Sequence, residues 1–350
     1  MIKKRIDLLK GDEILARAIM SDDYKVILPA GVTLKKDFVE RLECFGIKEV
    51  YIKEENVDEE EVAILREDVE NAVVKKVHEI LEKHTYQNND DLKDIGKQVE
   101  NIMSTILEKD EVIEKIYDVK ERSNDIYEHS VNMCALAILT ALKMGLEKES
   151  VHAIGVGCLL HDIGLRYMNI DCDDNSIDNL SGAEVQEYMK HPVYGYTSVK
   201  DEDWLSSLSK AVILSHHERL DGGGFPLKIK DIPIESRIVA VCDVFDEMIC
   251  GIFCRSVMVH EAIEYLKTFS GIKYDREVVN LFLSFIAAYP VGTRVLTSDG
   301  EEAVVVYQNK DFPDRPVIKI TRDASGRKVN GEIIKDLVKS HSLFIKEVLE

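Results

Sequence analysis

Val151-His-Ala-Ile-Gly-Val-Gly-Cys-Leu-Leu-His-Asp-Ile163 is an apolar, helix-forming run that closes on a His-Asp pair, with Gly164 read as its stop. Consecutive helical residues point about 100° apart, because roughly 3.6 of them make a turn. His161 and Asp162 are therefore poorly placed to grip one ion from one direction. They suit two ions lying close together, with Asp162 between them.

The same texture continues on both sides of this run. Residues 127–144 form an amphipathic helix with Val131, Cys134, Ile138 and Leu142 spaced for a buried stripe. Helices are also expected over 207–218, 236–248 and 259–268, with irregular stretches at 169–179 and 221–231. The fold class is mainly α, with an all-helical core over 119–288. Residues 1–54 read as a small α+β module: a strand from Lys25, a turn at Pro29 to Gly31, a helix over 34–45 stopped by Gly46, and a strand from Glu49. Residues 55–118 read as a helical connector with a polar break at 87–91. Its acidic run at 58–61 is read as a solvated helix start. From 289 to 350 the chain turns to β, with hairpin signals at Asp299-Gly300 and Ser325-Gly326, and reads as a small antiparallel module.

Composition narrows the function. Lys+Arg number 45 against Asp+Glu 65, a net charge of −20, which argues against a nucleic-acid polymer or an anionic membrane as partner. A small anionic substrate needs only local cations. No apolar run approaches the length of a membrane span, and the start does not read as a signal peptide, so a cytoplasmic location is expected. The seven cysteines are scattered, and the one close pair, Cys250 and Cys254, reads as reduced thiols.

Seven of the ten histidines fall in the helical core. A lone histidine on an amphipathic helix is usually a satisfied core or surface residue, so His78, His84, His152, His260 and His341 receive no role. The pairs are different. His161-Asp162 closes one helix, and His216-His217-Glu218 closes another. Val239-Ala-Val-Cys-Asp243 puts a carboxylate straight after core residues, where an unpaired charge is costly unless a cation meets it. Imidazole with carboxylate suits iron, manganese and similar ions, and a close ion pair activates water at a phosphate.

The strings Tyr127-Glu-His-Ser, His161-Asp-Ile-Gly, His191-Pro-Val-Tyr-Gly, His216-His-Glu-Arg-Leu-Asp-Gly-Gly-Gly-Phe-Pro226 and Arg237-Ile-Val-Ala-Val-Cys-Asp-Val-Phe-Asp246 together resemble the HD-GYP domain, a branch of the HD phosphohydrolases. The resemblance implies an HD-type helical core that hydrolyses cyclic di-GMP to pGpG and on to GMP with two or three divalent ions, iron or manganese. It implies His129, His161, Asp162 and Asp243 as core ligands, His161 and Asp162 being catalytic, and His191, His216 and His217 around a second ion. Asp125 stands where some members hold a third ion with glutamate. Gly224-Phe225-Pro226 stands where the family has Gly-Tyr-Pro.

Two departures bear on substrate. Leu165 replaces the lysine of His-Asp-Ile-Gly-Lys, and Ile252-Phe-Cys-Arg255 keeps only the second arginine of an Arg-Pro-Tyr-Arg-like segment. The expected substrate contacts are Arg255, Gly224, Phe225, Pro226 and Arg166, with Arg219 or Arg237 as further substitutes for the lost cations. Two alternatives stay open: an HD phosphohydrolase acting on another phosphoester, and a non-catalytic, metal-stabilised module that senses a ligand. A homodimer, with its contact on the connector helices, or a signalling-protein partner is compatible with this organisation.

Overall fold

The computed structural model describes residues 2–21, 26–44, 47–53, 63–83, 90–107, 117, 119, 125–168 and 177–349. The expected helix stop at Gly46, the acidic run at 58–61, the break at 87–89 and the irregular stretch at 169–176 lie outside these residues. The chain divides into two compact units: 1–61 with 291–308 and 315–350, and 62–290 with 309–314.

In the first unit, β1 (Ile2–Arg5) pairs antiparallel with β4 (Glu49–Ile52), and β2 (Ile19–Met20) with β3 (Val26–Leu28). Helix α1 (Lys36–Cys44) lies between them in sequence. Ile6, Leu15, Ile19, Leu34, Leu42, Val50 and Ile52 form one apolar cluster. This is the α+β module expected.

The second unit is helical. Its helices are α2 (Glu67–Lys83), α3 (Asp94–Leu107), α4 (Ile126–Lys143), α5 (Lys148–Leu160), α6 (Gly182–Tyr188), α7 (His191–Val199), α8 (Ser207–Ser215), α9 (Ile234–Cys250), α10 (Val259–Phe269) and α11 (Arg276–Leu283). Helix α4 differs from the expected one-sided stripe: every residue from His129 to Ala141 is buried. It packs against α2, α3, α5, α9 and α11, so all its sides are covered. Helix α5 is sandwiched as tightly. A Cβ on Gly155 would come 2.5 Å from Val99 of α3, and one on Gly157 would come 2.6 Å from Val212 of α8. The two glycines let helices close on α5 from both sides.

These contacts also fix direction. Gly96 faces His152 while Gly155 faces Val99, and Ser209 Oγ donates to Ala153 O while Gly157 faces Val212. Both pairings advance together, so α3, α5 and α8 run parallel. The C-terminal ends of α5 and α8 therefore lie at the same end of the bundle. Among the described residues, no helix is long and apolar enough to cross a membrane.

The C-terminal strands β5 (Arg294–Thr297), β6 (Glu302–Asn309), β7 (Phe312–Arg322), β8 (Lys328–Asp336) and β9 (Ile345–Val348) form an antiparallel sheet of order β8-β7-β6-β5-β9. Both expected hairpins are present, each turning on a glycine in the left-handed region, Gly300 at φ 81° and Gly326 at φ 76°. The pairing of β9 with β5 had no local sequence signal.

Candidate metal centre

Three histidines are aimed by one device and a fourth by a carboxylate. The last carbonyls of a helix have no intrahelical partner. His161 follows α5 and donates Nδ1–H to Cys158 O at 2.7 Å. His216 follows α8 and donates to Ile213 O at 3.0 Å, while His191 donates to Tyr188 O, at the end of α6, at 2.8 Å. His129 uses a carboxylate instead, bonding Asp246 Oδ2 at 2.9 Å. A ring that donates through Nδ1 presents a bare lone pair on Nε2. All four Nε2 atoms are turned towards Asp162 or Asp243.

Asp162 divides its two oxygens. Oδ2 lies 3.2 Å from His161 Nε2, and Oδ1 lies 3.2 Å from His191 Nε2 and 4.0 Å from His216 Nε2. Asp243 divides in the same manner: Oδ1 is 3.3 Å from His129 Nε2 and 3.6 Å from His161 Nε2, while Oδ2 is 3.6 Å from His217 Nδ1. Three groups with metal-ligand spacing result: Asp162 with His191, His216 and His217; His129 with His161 and Asp243; and His217 with Asp243 and Glu247. Within each, the donor atoms lie within 4.8 Å of one another. All seven residues expected as core and second-ion ligands are thus brought together.

The donor chemistry fits cations. His129 Nε2 and both Asp243 oxygens are buried without a hydrogen-bond partner, which in a well-packed core is costly unless something positive meets them. The helix ends add to this, since α5 and α8 both direct their partially negative C-termini at the cluster. Burial lowers the His216 imidazole to about 3, helped by His161 and His191, and depresses His217 in the same direction. Burial opposes charge on Asp162 too, but His161 and His191 outweigh it and hold the carboxyl well below its ordinary range. His216 and His217 are thus held neutral, as a divalent ion needs. On His129, by contrast, burial is outweighed by Asp243 and Asp246, and on His161 by Asp162 and Asp243, so those two rings are raised and an ion would displace their protons.

Glu247 is a ligand-spaced carboxylate that sequence reasoning missed. It lies one helical turn after Asp243 on α9, an i,i+4 spacing that would have pointed to it. Burial and the nearby Asp243 charge push its carboxyl well above its usual range. Asp125, expected as the third-ion ligand, belongs to none of the three groups. It is the N-cap of α4, accepting from the amides of Tyr127 and Glu128 through Oδ1 at 2.9 and 2.8 Å.

Gly164 also differs from expectation. It sits inside a 3-10 turn, Ile163–Tyr167, and a Cβ there would come 1.9 Å from His191 O. The residue is glycine because the His-Asp turn packs backbone to backbone on the start of α7. Gly224 is constrained likewise, with His217 O, Glu218 Cα and Arg219 N all 2.5 Å from where a Cβ would stand. Phe225 follows with its ring centroid 4.5 Å from that of His217, and the Phe225–Pro226 peptide is cis. Glu218 anchors this loop. Its buried carboxylate accepts from the amides of Leu227, Lys228 and Ile229 at 2.6, 3.0 and 3.1 Å.

The cations around the cluster are largely spent. Arg166 Nη1 donates to Glu82 Oε1 at 2.7 Å and reaches Tyr127 Oη at 3.5 Å, so it ties the His-Asp turn to α2 rather than standing free for substrate. Arg219 donates to the carbonyls of His216 and Glu218 and lies over the Tyr274 ring, and Arg237 pairs with Asp275. Leu165 packs with Met168, Phe225, Tyr188 and Phe253 in an apolar cluster. Arg255 is exposed and has no ion pair among the described residues. Cys250 and Cys254 are free thiols bonded to Asp246 Oδ2 and Glu247 O, as a reduced pair would be.

Comparison with known proteins agrees with this geometry. The HD domain family matches residues 111–278, and a KOW domain associated with HD domains matches 294–350. A cyclic di-GMP phosphodiesterase of Pseudomonas aeruginosa is 30% identical over 225 residues, covering 63% of this chain and 54% of that protein. A cyclic di-GMP phosphodiesterase of Thermotoga maritima is 31% identical over 181 residues, covering 49% and 48%. The chain thus spans about half the length of these curated relatives. An HDG"Y"P protein from Bdellovibrio bacteriovorus shares the fold, with a TM-score of 0.54 at 18% identity over 80% of this chain and 97% of that one. With the His-Asp and His-His pairs, the Gly-Phe-Pro loop and these matches together, the chain carries an HD domain over residues 111–278 and is similar to HD-GYP proteins.

Proposed function

We propose that this chain is a metal-dependent phosphodiesterase that opens cyclic di-GMP to linear pGpG and then releases GMP. The observation that carries the reading is the split Asp162 carboxylate, one oxygen beside His161 and the other beside His191. His129, His161, Asp162 and Asp243 would hold one ion, and Asp162, His191, His216 and His217 a second, iron or manganese by donor type. His217, Asp243 and Glu247 would hold a third. When bound, such ions activate a water and offset the charge that grows on a phosphate under in-line attack. The chain's own part is to orient. Asp246 holds the His129 ring, the helix-end carbonyls hold the other three, and Glu218 fixes the Gly-Phe-Pro loop against His217. Arg255 is the cation proposed to meet a substrate phosphate.

In this proposal residues 119–288 are the catalytic domain and 55–118 its helical connector. Residues 1–54 and 289–350 flank them as modules, and the protein works in the cytoplasm. The relatives named above support the choice of substrate. One observation favours a second reading, hydrolysis of another cyclic dinucleotide or phosphoester. Leu165 and Ile252 belong to an apolar cluster where a family member would offer cations, and a 3′3′-cGAMP-specific phosphodiesterase of Vibrio cholerae is 27% identical over 200 residues.

The test is hydrolysis of cyclic di-GMP and 3′3′-cGAMP by protein loaded anaerobically with Fe(II) or Mn(II), with Asp162→Ala as control. Turnover of cyclic di-GMP that vanishes in the variant is expected. Preference for the mixed dinucleotide would establish the second reading, and bound metal without turnover of either would leave a ligand-sensing module.

A further inference from the structure

A cavity of about 1020 Å³ opens between α3 and the N-terminal halves of α5 and α8. Along α5 its lining runs from Lys148 to Val156, roughly 20 to 8 Å from His161 at about 1.5 Å per residue, and none of the metal-ligand residues lines it. Nothing in the hydrolase reading uses it. Its volume is at the upper end of that typical for small-molecule sites, about 300–1,000 Å³.

Its lining combines three features. The floor is apolar, with the buried Met103, Ala153 and Val156. Trp204, the single tryptophan of the chain, forms part of the wall and has its indole N–H fixed on Glu202 Oε2 at 2.7 Å. The exposed Lys93, Lys97 and Lys148 also line it, with His152 and the carboxylates Glu100 and Glu149. Lys97 is paired with Asp94, but Lys93 and Lys148 have no ion pair among the described residues. In a chain of net charge −20, two uncommitted lysines beside an oriented aromatic ring are a departure from the surroundings. The parallel α5 and α8 both begin at this cavity, and Glu147 gives α5 no side-chain cap, so the first-turn amides of α5 reinforce a preference for anions.

We infer that this cavity is a second ligand site, separate from the metal centre, for a nucleotide whose base lies on Trp204 and whose phosphate meets Lys93 and Lys148. Base–aromatic stacking tolerates any base, so the site selects for ring plus phosphate rather than for one base.

The lone tryptophan makes the test direct. Fluorescence of the intact chain is titrated with guanosine and adenosine 5′-monophosphates, with guanosine, inorganic phosphate and an aliphatic carboxylate as further arms. Both monophosphates are expected to change the emission saturably, and guanosine to bind about tenfold more weakly or worse. Lys93→Glu and Lys148→Glu, both at exposed positions, are expected to weaken the monophosphates by a similar factor. Arg255→Ala, outside the lining of this cavity, should leave the titration unchanged. The inference is overturned by any of four results: no saturable response, a response indifferent to both lysine reversals, one lost in Arg255→Ala, or one given by the aliphatic acid and not by the nucleotides.

Discussion

His191 and His216 face each other nitrogen to nitrogen, with their Nε2 atoms 3.1 Å apart and both Nδ1 atoms already donating to carbonyl oxygens. Two lone pairs at that distance repel unless something positive lies at hand, and Asp162 Oδ1 sits 3.2 Å from one of them and 4.0 Å from the other. The pair is held by α7 and α8, which have nothing else to gain from bringing two buried imidazoles together. Removing metal should therefore loosen the fold. At free metal a hundredfold above Kd, bound ion contributes about 2.7 kcal/mol. For a unit of this size that is about 5–10 °C in Tm. Calorimetry with and without chelator measures it, and elemental analysis should find about one equivalent fewer in His216→Ala. A protein whose melting ignores the chelator would count against a bound ion.

Arg166 and Arg255 separate a structural cation from a substrate cation. Arg166 is engaged with Glu82 and Tyr127, and the Tyr127 hydrogen bond, ahead of Arg166, lowers the Glu82 carboxyl. Arg166→Ala should cost about 0–1 kcal/mol of stability and leave KM for cyclic di-GMP within about twofold. Arg255→Ala should leave Tm unchanged and raise KM about tenfold or more. The reverse pattern of KM values would return Arg166 to the substrate.

Glu218 holds the Gly-Phe-Pro loop through three amides. Glu218→Ala removes every acceptor at once, at an expected cost of about 2–3 kcal/mol. Hydrogen exchange at Leu227, Lys228 and Ile229 should quicken, and kcat should fall while metal content holds, because Phe225 loses its seat beside His217. Unchanged exchange at those amides would remove Glu218 from this role.

What was legible in the sequence was adjacency. His161-Asp162 and His216-His217 announce themselves because two ligand types stand side by side at the end of an apolar run. What was not legible depends on distant partners. Arg166 looked available because Glu82 is 84 residues away, and the anchoring role of Glu218 rests on amides nine to eleven residues later. Helix α8 stops at Ser215, short of the expected 218, because the chain tightens into a turn in which the Glu218 amide donates to Ser215 O at 3.0 Å. Asp125 matched a ligand position by count, but the open amides of α4 claim it first. Helical periodicity placed the core and both hairpin glycines placed the sheet. The partner of β9 is nearly fifty residues back along the chain.

The first unit carries its own acid sensitivity. Burial raises the Glu13 carboxyl, but the Lys4 ammonium and the amides of Lys10 and Gly11 outweigh it and hold the group at about 2. The folded value lies below the ordinary 4.5, so the unfolded chain takes up the proton first as pH falls. The stability Glu13 contributes is fully present above 4.5 and is lost as pH falls towards about 2. Glu13→Gln should flatten the fall of Tm across that window, and an identical slope in the variant would assign the acid loss elsewhere.

Gly164 and Gly182 form a matched pair for testing how the His-Asp turn is seated. A Cβ at Gly164 would lie 1.9 Å from His191 O and 2.6 Å from Gly195 N, both backbone atoms that cannot swing aside. At Gly182 nothing lies within 4 Å. Gly182→Ala, at the start of α6, should therefore be neutral or stabilise by about 0.4–1 kcal/mol through the unfolded chain. Gly164→Ala must push the turn away from α7, at a cost of about 3 kcal/mol or more. The displacement acts on function directly, because it separates Asp162 on the turn from His191 on α7. Metal content should drop together with Tm in Gly164→Ala and remain at the wild-type level in Gly182→Ala. Full metal occupancy in a folded Gly164→Ala protein would mean that Asp162 and His191 do not need this backbone contact to meet.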